Sequence, residues 1–191
     1  MTTTTGLLLA AGQSRRFGPE DKLLADLGGR PVVCHAAAAL AKAGCDHLVA
    51  VTSNPAVAQV LTEFEHVAPV AHGAGQSASL RAGVLRAAER GANRVLVVLG
   101  DMPLVTPETM RAILVRGLEH GFAATSDGLR RMPPICFENS VFSEVLDLTG
   151  DKGARAKLQA LPEAACVMVS AHELGDIDTV DDLETMRRNV G

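Results

Sequence analysis

Tryptophan and tyrosine are absent from this 191-residue chain, and five phenylalanines are its only aromatic residues. Without a set of aromatic side chains, the chain is poorly equipped to stack the bases of a single-stranded nucleic acid. The net charge is −4, whereas a surface that binds nucleic acid is generally basic. We therefore expect no nucleic-acid partner, and any anion site must be a local cluster of cations.

Long hydrophobic runs are also missing. No segment approaches the roughly 20 apolar residues that a membrane-spanning helix needs. The first residues, MTTTT, lack the charged-then-apolar pattern of a secretory signal. These absences predict no membrane partner and a cytoplasmic location. The 47% hydrophobic content is nonetheless high enough for a substantial core, so a disordered chain is not indicated.

Cysteine and histidine are present but scattered. The four cysteines form no C-x-x-C pair and the six histidines form no H-x-x-x-H pair, so a zinc site is not indicated. In a reducing cytoplasm we expect buried, free thiols. The cysteines are Cys34, Cys45, Cys136 and Cys166.

Apolar runs of strand length alternate with longer amphipathic stretches along the whole chain. Such alternation with short connections is typical of an α/β fold, in which a mostly parallel sheet carries helices on both faces. No linker or internal repeat interrupts it, so we expect a single domain over residues 1–191. The predicted strands are Gly6–Ala10, His47–Thr52, His66–Val70, Arg94–Leu99, Phe122–Thr125, Ile135–Phe137 and Ala165–Val169. The predicted helices are Val32–Ala43, Ala56–Glu63, Ala78–Arg90, Pro107–Leu118, Ser140–Leu148, Gly153–Ala160 and Val180–Arg188.

The most informative segment is LLLAAGQSRRFGPEDKLL, residues 7–24, in which an apolar strand runs directly into a basic loop. Free backbone N–H groups and cationic side chains in such a loop suit a polyphosphate. The loop is not a Walker A motif, because no GK[ST] closes it, and it lacks the dinucleotide fingerprint G-x-G-x-x-G. Its glycines and cations are Gly12, Arg15, Arg16, Gly18 and Lys22.

Carboxylates at two places are candidate metal ligands. Asp101 follows a predicted buried strand in VLVVLGDMPLVTP, and Asp176 and Asp178 lie in GDIDTVDDL. Mg²⁺ prefers oxygen ligands and is commonly held by one or two carboxylates together with substrate phosphates. The alternative is that these aspartates only cap a turn or a helix, and Asp181 and Asp182 are better explained as first-turn acids that complement the helix dipole.

Two further polar segments have two explanations each. GAGQSASLRAG, residues 73–83, brings Ser77 and Ser79 to the start of a predicted helix, where hydroxyls and free amides can hold a ribose, base or phosphate oxygen. The same segment can equally be a flexible capped turn. GDKGAR, residues 150–155, is either an acceptor-binding loop or a solvated surface turn.

Ligands in an open α/β sheet bind at the carboxyl ends of the strands. If the strands run parallel, the loops after Ala10, Val70, Leu99 and Phe137 share one rim. Polar residues also mark several helix starts. Helix caps are predicted at Ser77, Thr106 and Thr179.

Together these segments resemble the molybdenum cofactor nucleotidyltransferase family, and its cytidylyltransferase branch more than its guanylyltransferase branch. The matching segments are LLLAAGQSRRFG with KLL, GQSASLRAG, GDMPLVTP, GDKGAR and DIDTVDDL, in this order from Leu7 to Leu183. The first segment and GDMP are typical of the whole superfamily. SLRAG and GDKGAR favour the cytidylyl branch, as does Ala11, where guanylyl members usually carry glycine.

The resemblance implies a Rossmann-like α/β fold and a Mg²⁺-dependent transfer of CMP from CTP to a phosphorylated acceptor, the molybdenum cofactor (molybdopterin), with release of pyrophosphate. A molybdoenzyme would receive the product. By the same resemblance, Asp101 and Asp178 are the metal ligands, and Arg16, Lys22 and Asp101 are the catalytic residues. The nucleotide-binding residues that it implies are Ala11, Gly12, Ser14, Arg16, Lys22, Ser77 and Ser79.

One stretch departs from the family pattern. Relatives usually carry Gly-His-Pro or Gly-Asn-Pro before the strand at Ile135, where this chain has RMPP, residues 131–134. The acceptor therefore stays open. The alternatives are a guanylyltransferase or other NTP transferase with a different phosphorylated acceptor, and a non-catalytic nucleotide-binding maturation factor. A dinucleotide oxidoreductase is disfavoured, because G-x-G-x-x-G is absent and the second long strand ends in Thr52-Ser53-Asn54 without an acid for the ribose.

Overall fold

The computed structural model describes residues 2–12, 14, 16–69, 75–147 and 150–190. Their strands are β1 Thr4–Leu9, β2 Asp26–Leu27, β3 Arg30–Pro31, β4 His47–Val51, β5 Glu65–Val67, β6 Arg94–Leu99, β7 Phe122–Ser126, β8 Arg131–Glu138 and β9 Cys166–Met168. Seven strands form one sheet in the order β5-β4-β1-β6-β8-β7-β9, and β2 pairs with β3 in a separate hairpin. The central position belongs to β6, with β1 beside it.

The sheet is mostly parallel, as predicted, and β8 is the strand that departs from this direction. It runs antiparallel to both of its neighbours, β6 and β7, so Glu138 at its end pairs with Arg94 at the beginning of β6. The prediction that the loop after Phe137 shares a rim with the loops after Ala10 and Leu99 is therefore wrong. The loop after Val70, also placed on that rim, lies outside the described residues.

Helices cover both faces of the sheet. Because side chains alternate along a strand, Leu8 packs into a core with α1 and α4 residues, whereas Leu7 and Leu9 pack into a second core with α3 and α5 residues. This arrangement confirms the predicted fold class. The helices are α1 Val32–Ala41, α2 Pro55–Val60, α3 Gln76–Glu89, α4 Pro107–His120, α5 Phe142–Leu146, α6 Gly150–Gln159 and α7 Val180–Val190, and short 3₁₀ turns cover Lys22–Leu24, Asn139–Val141 and Glu163–Ala165.

Two of the three predicted helix caps are confirmed. Thr106 Oγ1 accepts from the Thr109 N–H at 3.2 Å, and Thr179 Oγ1 accepts from the Asp182 N–H at 3.2 Å. The third prediction is wrong, because α3 begins at Gln76 with Gly75 as its N-cap, which leaves Ser77 inside the helix. The start of α6 at Gly150 also overturns the prediction of a loop or turn over residues 150–155.

Two glycines allow close packing around β1. A Cβ on Gly100 would lie 3.1 Å from Val33 Cγ2 and 3.3 Å from the Leu9 carbonyl oxygen, so glycine lets the ends of β1 and β6 lie side by side. A Cβ on Gly83 would lie 2.3 Å from Leu7 Cδ1, so α3 rests directly on β1. Both contacts bring chain segments together near the carboxyl edge of the sheet.

Within the described residues, no helix is both long enough and apolar enough to cross a membrane. The four cysteines are free thiols. Cys136 and Cys166 are buried as expected, but Cys34 and Cys45 are only partly buried.

Candidate active site

The loop after β1 carries a residue in an uncommon backbone conformation. Ser14 has φ of +44°, in the left-handed region that few residues other than glycine occupy. Its carbonyl accepts from the Phe17 N–H at 2.9 Å. Its hydroxyl donates to Asp21 Oδ1 at 3.1 Å and accepts from the Lys22 N–H at 3.2 Å. The loop is thus tied to the short 3₁₀ turn that contains Lys22.

Lys22 extends from that turn into a buried ion pair with two carboxylates. Its Nζ lies 2.7 Å from Asp101 Oδ2 and 2.9 Å from Asp178 Oδ1, and only 8% of its side chain is exposed. Burial by itself lowers the pKa of Lys22, but the charges and hydrogen bonds of Asp101 and Asp178 outweigh burial, so its pKa is raised above the ordinary value. The lysine is therefore a fixed positive charge at neutral pH.

Asp101 lies at the carboxyl end of β6, where the sequence predicted a metal ligand. Its side chain is 21% exposed. Oδ2 accepts a hydrogen bond from Lys22 Nζ, whereas the buried Oδ1 has no hydrogen-bond partner among the described residues. A buried carboxylate oxygen without a donor is costly and leaves a lone pair available to a cation. This feature fits an oxygen-preferring divalent metal.

Asp178 is held beside Asp101 by the backbone. The Ile177 N–H donates to the Asp101 carbonyl at 2.9 Å, so the two acidic segments are hydrogen-bonded to one another directly. The Asp178 N–H donates to Asp182 Oδ2 at 3.1 Å, at the capped start of α7. The Asp178 side chain is 29% exposed. Its Oδ2 accepts from Arg16 Nη2 at 2.6 Å, and its Oδ1 accepts from Lys22 Nζ.

Arg16 completes the cluster from the solvent side. Its side chain is 73% exposed, so its ion pair with Asp178 contributes little stability, because water screens it. The exposed guanidinium is better placed to meet an incoming anion. In the described part of the chain, Arg16, Lys22, Asp101 and Asp178 therefore form one connected set of charges.

Asp176 is a third carboxylate near this set. Burial raises the pKa of Asp176, and the negative charges of Asp101 and Asp178 raise it further. Still, no three Asp, Glu, His or Cys side chains in the described residues are grouped closely enough to surround a metal by themselves. The donor set fits Mg²⁺ held by two carboxylates and completed by substrate phosphates and water.

Helix α3 starts at Gln76 and packs into the same core as Ala11, which lies at the beginning of the loop after β1. Ser79 is buried near this start and Ser77 is partly exposed. Since Gly83, one turn after Ser79, rests on Leu7 of β1, the two serines lie on the helix that flanks the loop after β1.

Several residues fall outside the cluster or outside the described residues. Gly12 is exposed and Ala11 partly exposed on the path from β1 into the loop. Arg15 is not among the described residues, nor are the side chains of Asp151 and Lys152.

Sequence reasoning missed two polar residues of the site. Asp21 caps the turn at Lys22 and accepts from Asn54 Nδ2 at 2.7 Å. For Asp21, an available signal was its position directly before KLL, where a capping acid is common. For Asn54, the signal was the Asn-Pro pair at the start of α2.

Residues 131–134, where the sequence departs from the family pattern, form the first half of β8, directly after the turn that joins it to β7. Thr125 Oγ1 donates to the carbonyls of Met132, at 2.7 Å, and Pro133, at 3.1 Å. Arg131 Nη1 donates to the Gln159 carbonyl at the end of α6, at 2.8 Å. Because β8 runs antiparallel to β6, its first residues lie at the carboxyl end of β6, which Asp101 follows.

Residues 6–165 match the family described as the MobA-like NTP transferase domain. The chain belongs to this family. The match covers β1 from Gly6 onward, the loop after it, Lys22 and Asp101, but ends before Asp178. The resemblance to the molybdenum cofactor nucleotidyltransferases is thereby confirmed, and membership is consistent with nucleotidyl transfer.

Two curated relatives match over nearly their whole length. The purine catabolism protein PucB of Bacillus subtilis is 30% identical over 198 residues, covering 96% of this chain and 95% of that protein. Nicotine blue oxidoreductase of Paenarthrobacter nicotinovorans is 29% identical over 198 residues, covering 96% of this chain and 93% of that protein.

Among solved structures, Rv0371c of Mycobacterium tuberculosis superposes with a TM-score of 0.84 at 29% identity, over 98% of this chain and 99% of that one. A complex of Rv0371c with manganese superposes with a TM-score of 0.77 at 26% identity, over 98% of this chain and 99% of that one. Manganese has thus been seen with a structural neighbour of this chain.

Proposed function

We propose that the protein is a Mg²⁺-dependent nucleotidyltransferase that moves CMP from CTP to the terminal phosphate of a molybdopterin-type acceptor and releases pyrophosphate. The observation that carries this proposal is the ion pair of Lys22 with Asp101 and Asp178, next to the loop after β1. One fixed cation and two carboxylates beside a phosphate-type loop are the groups that a metal–triphosphate complex requires.

The reaction is an in-line displacement at the α-phosphorus of the nucleotide. An oxygen of the acceptor's terminal phosphate forms the new bond to this phosphorus, and the bond to the oxygen that bridges to the β-phosphate breaks, so pyrophosphate leaves with the electron pair. The second pKa of a phosphate monoester is about 6, so the attacking oxygen is already ionised at neutral pH. A general base is therefore not needed.

The side chains of the cluster bind and neutralise the triphosphate. Lys22 contacts the phosphates, Arg16 meets them from solvent, and the amides near Gly12 and Ser14 donate to phosphate oxygens. Asp101 and Asp178 would hold the divalent cation, which supplies positive charge to the phosphates and the leaving group. Ser77 and Ser79 contact the nucleotide from the start of α3.

Support for CTP and for a molybdopterin-type acceptor comes from the sequence. SLRAG, GDKGAR and Ala11 resemble the cytidylyl branch of the family, as described above. The acceptor approaches from the side of the β7–β8 hairpin and α6, which are joined by the bond between Arg131 and the Gln159 carbonyl. The RMPP stretch at residues 131–134 makes this side the one where the chain differs from its relatives.

The test is pyrophosphate release with Mg²⁺ and each of the four nucleoside triphosphates, with and without molybdenum cofactor or molybdopterin. Release with CTP only when the acceptor is present supports the proposal. Release with GTP or another NTP would still support a nucleotidyltransferase, but it would contradict CTP as the nucleotide donor. Measurable NTP binding without release under any pairing contradicts catalysis on these acceptors and favours the nucleotide-binding maturation factor.

The name of one relative also raises an oxidoreductase as a second candidate. In this chain, the end of β4 leads to Thr52, Ser53 and Asn54, and Asn54 caps α2 and bonds to Asp21. The segment from Thr52 to Asn54 itself supplies no acid to hold the ribose of a dinucleotide. Oxidation of NADH or NADPH with a dye acceptor, measured at 340 nm, tests this candidate, and turnover there would favour it over nucleotidyl transfer.

A further inference from the structure

The carboxylate of Asp21 connects three segments of the site without contacting Lys22 Nζ, Asp101 or Asp178. Its Oδ1 accepts from the Ser14 hydroxyl at 3.1 Å and from the Leu23 N–H at 3.0 Å. Its Oδ2 accepts from Asn54 Nδ2 at 2.7 Å. Hydrogen bonds to an ionised acceptor are about twice as strong as neutral ones, so one side chain fastens the loop after β1, the Lys22 turn and the end of β4 together.

Ser14 shows why the loop needs this support. A residue other than glycine at φ of +44° is strained, and it stays in this conformation only because its surroundings hold it there. The Ser14 hydroxyl bonds to both Asp21 Oδ1 and the Lys22 N–H. The strained residue and the base of the lysine side chain are therefore fixed through the same carboxylate.

Asn54 provides a rigid attachment point for Asp21. Its Oδ1 accepts from the Ala56 N–H at 2.9 Å as the N-cap of α2, and its own N–H donates to Thr52 Oγ1 at 3.2 Å. Because the amide oxygen is committed to the cap, the amide nitrogen can only face Asp21. The Thr52 N–H in turn donates to the Val67 carbonyl of β5 at 3.0 Å, so the attachment extends into the sheet.

We propose that Asp21 and Asn54 are positioning residues for the nucleoside triphosphate. Their bond ties the phosphate loop and the Lys22 turn to the rigid carboxyl ends of β4 and β5, so that Ser14 and Lys22 are already in place when the triphosphate arrives. This inference rests on the proposed function, because it concerns the same NTP site. It adds a pair of residues that act through Ser14 and Lys22 rather than on the substrate.

The test is an exchange of the two side chains. In Asp21→Asn, the single amide oxygen can accept from Ser14 and Leu23 or from Asn54, but not from all three, so one donor is left facing another donor. In Asn54→Asp, two carboxylates face each other. In the double variant D21N/N54D, the amide at position 21 keeps an oxygen for Ser14 and Leu23 and donates its nitrogen to the new carboxylate, whose second oxygen still caps α2.

Three experiments are made on each variant: calorimetry for the Kd of each Mg²⁺–NTP complex, pyrophosphate release for KM and kcat, and hydrogen exchange at the amides of Lys22 and Leu23. We expect each single variant to raise Kd and KM about tenfold or more, with faster exchange at these amides. The double variant should return Kd to within about threefold of the parent. If the single variants only destabilised the fold, Tm would fall and the double variant would not restore Kd.

Asp46→Asn is the matched control, because Asp46 Oδ2 accepts from the Thr4 N–H at 2.8 Å at the opposite end of β1. It should leave Kd and KM unchanged. Singles that bind NTP like the parent, or a double variant no better than the singles, would overturn the positioning role while leaving the proposed function intact. A parent protein that binds no NTP would overturn both.

Discussion

The ammonium of Lys22 lies between two carboxylates, 2.7 Å from Asp101 Oδ2 and 2.9 Å from Asp178 Oδ1. The lysine thus offsets one of the two negative charges at the place where the proposed function puts a divalent cation. A cation that binds Asp101 and Asp178 competes with Lys22 for their negative charge, and the phosphates of the nucleotide offer the ammonium a further partner. Cation and nucleotide are therefore expected to bind together more tightly than either binds alone.

Lys22→Met removes both the positive charge beside the carboxylates and the phosphate contact that the proposed function assigns to Lys22. We expect KM for the nucleotide to rise about tenfold or more, because a charge-assisted contact is lost. Binding of Mn²⁺ without nucleotide should become tighter, because the carboxylates lose their ammonium partner. Electron paramagnetic resonance titration measures the free Mn²⁺, with the exposed Lys42→Met as control. Unchanged Mn²⁺ affinity and kinetics would remove Lys22 from the site.

Asp101→Asn keeps the size of the side chain and removes its charge. Turnover should fall about 100-fold or more, in the range typical for the loss of one group that stabilises the transition state electrostatically. The fold should survive, because Lys22 keeps Asp178 as a partner. Pyrophosphate release and a thermal melt measure the two effects, with Asp181→Asn as the matched substitution. Near-normal turnover at ordinary Mg²⁺ concentration would contradict the metal assignment.

Gly83→Ala should destabilise the protein, because the new Cβ would lie 2.3 Å from Leu7 Cδ1 and 2.9 Å from Leu7 Cγ. Overpacking of this kind costs about 1–3 kcal/mol, and Tm falls roughly 2–4 °C per kcal/mol at this chain length. Leu7→Val should be less harmful in the Gly83→Ala background than in the parent. Additive Tm changes in this double-mutant cycle would show that α3 does not press on β1.

The cap of α7 predicts a particular pH dependence of stability. The Thr179 hydroxyl, which donates to Asp182, lowers the pKa of Asp182, and the N–H groups of Thr179 and Asp178 lower it further. The stabilisation is therefore complete above the unfolded pKa of about 3.9 and is lost as pH falls through the folded pKa.

Asp182→Ala should accordingly lower Tm by a few degrees between pH 6 and 8, because the capping bonds are lost. The difference from the parent should shrink as pH falls below the unfolded pKa of about 3.9, because the unfolded chain then takes up a proton that the folded Asp182 resists. Melting curves across this range measure it, with Asp181→Ala as the comparison. A difference that stays constant down to pH 3 would contradict the role of an ionised Asp182.

Much of the fold was predictable because buried strands appear in the sequence as short apolar runs. The predicted strand Arg94–Leu99 agrees with β6 at both ends, since it is apolar on both faces and bounded by polar residues. The direction of β8 was missed, although Asp127-Gly128 between two strands is a known hairpin signal. The β2–β3 hairpin was also missed, and Gly28 and Gly29 in its turn both have positive φ.

Residues of the candidate site could be proposed where each one lies in a short motif. Hydrogen bonds between residues far apart in the sequence could not be proposed when neither residue lies in such a motif. Lys22, Asp101 and Asp178 were proposed from motifs, and the structure brings their charges together although 156 residues separate Lys22 from Asp178. The bond between Asp21 and Asn54 joins residues 33 apart. No spacing rule connects these two residues, because only the pairing of β4 with β1 places them side by side.

The reversed direction of β8 has a consequence for how such a protein diversifies. A parallel strand at this position would need a crossover connection, whereas the antiparallel β7 and β8 are joined by the four residues 127–130. Once a surface loop is flexible, each further doubling of its length costs only about 0.6 kcal/mol. Insertions can therefore accumulate at this hairpin while β1, β6 and their charged residues keep their places, and the edge of the sheet can acquire a new small-molecule preference without a change in its core.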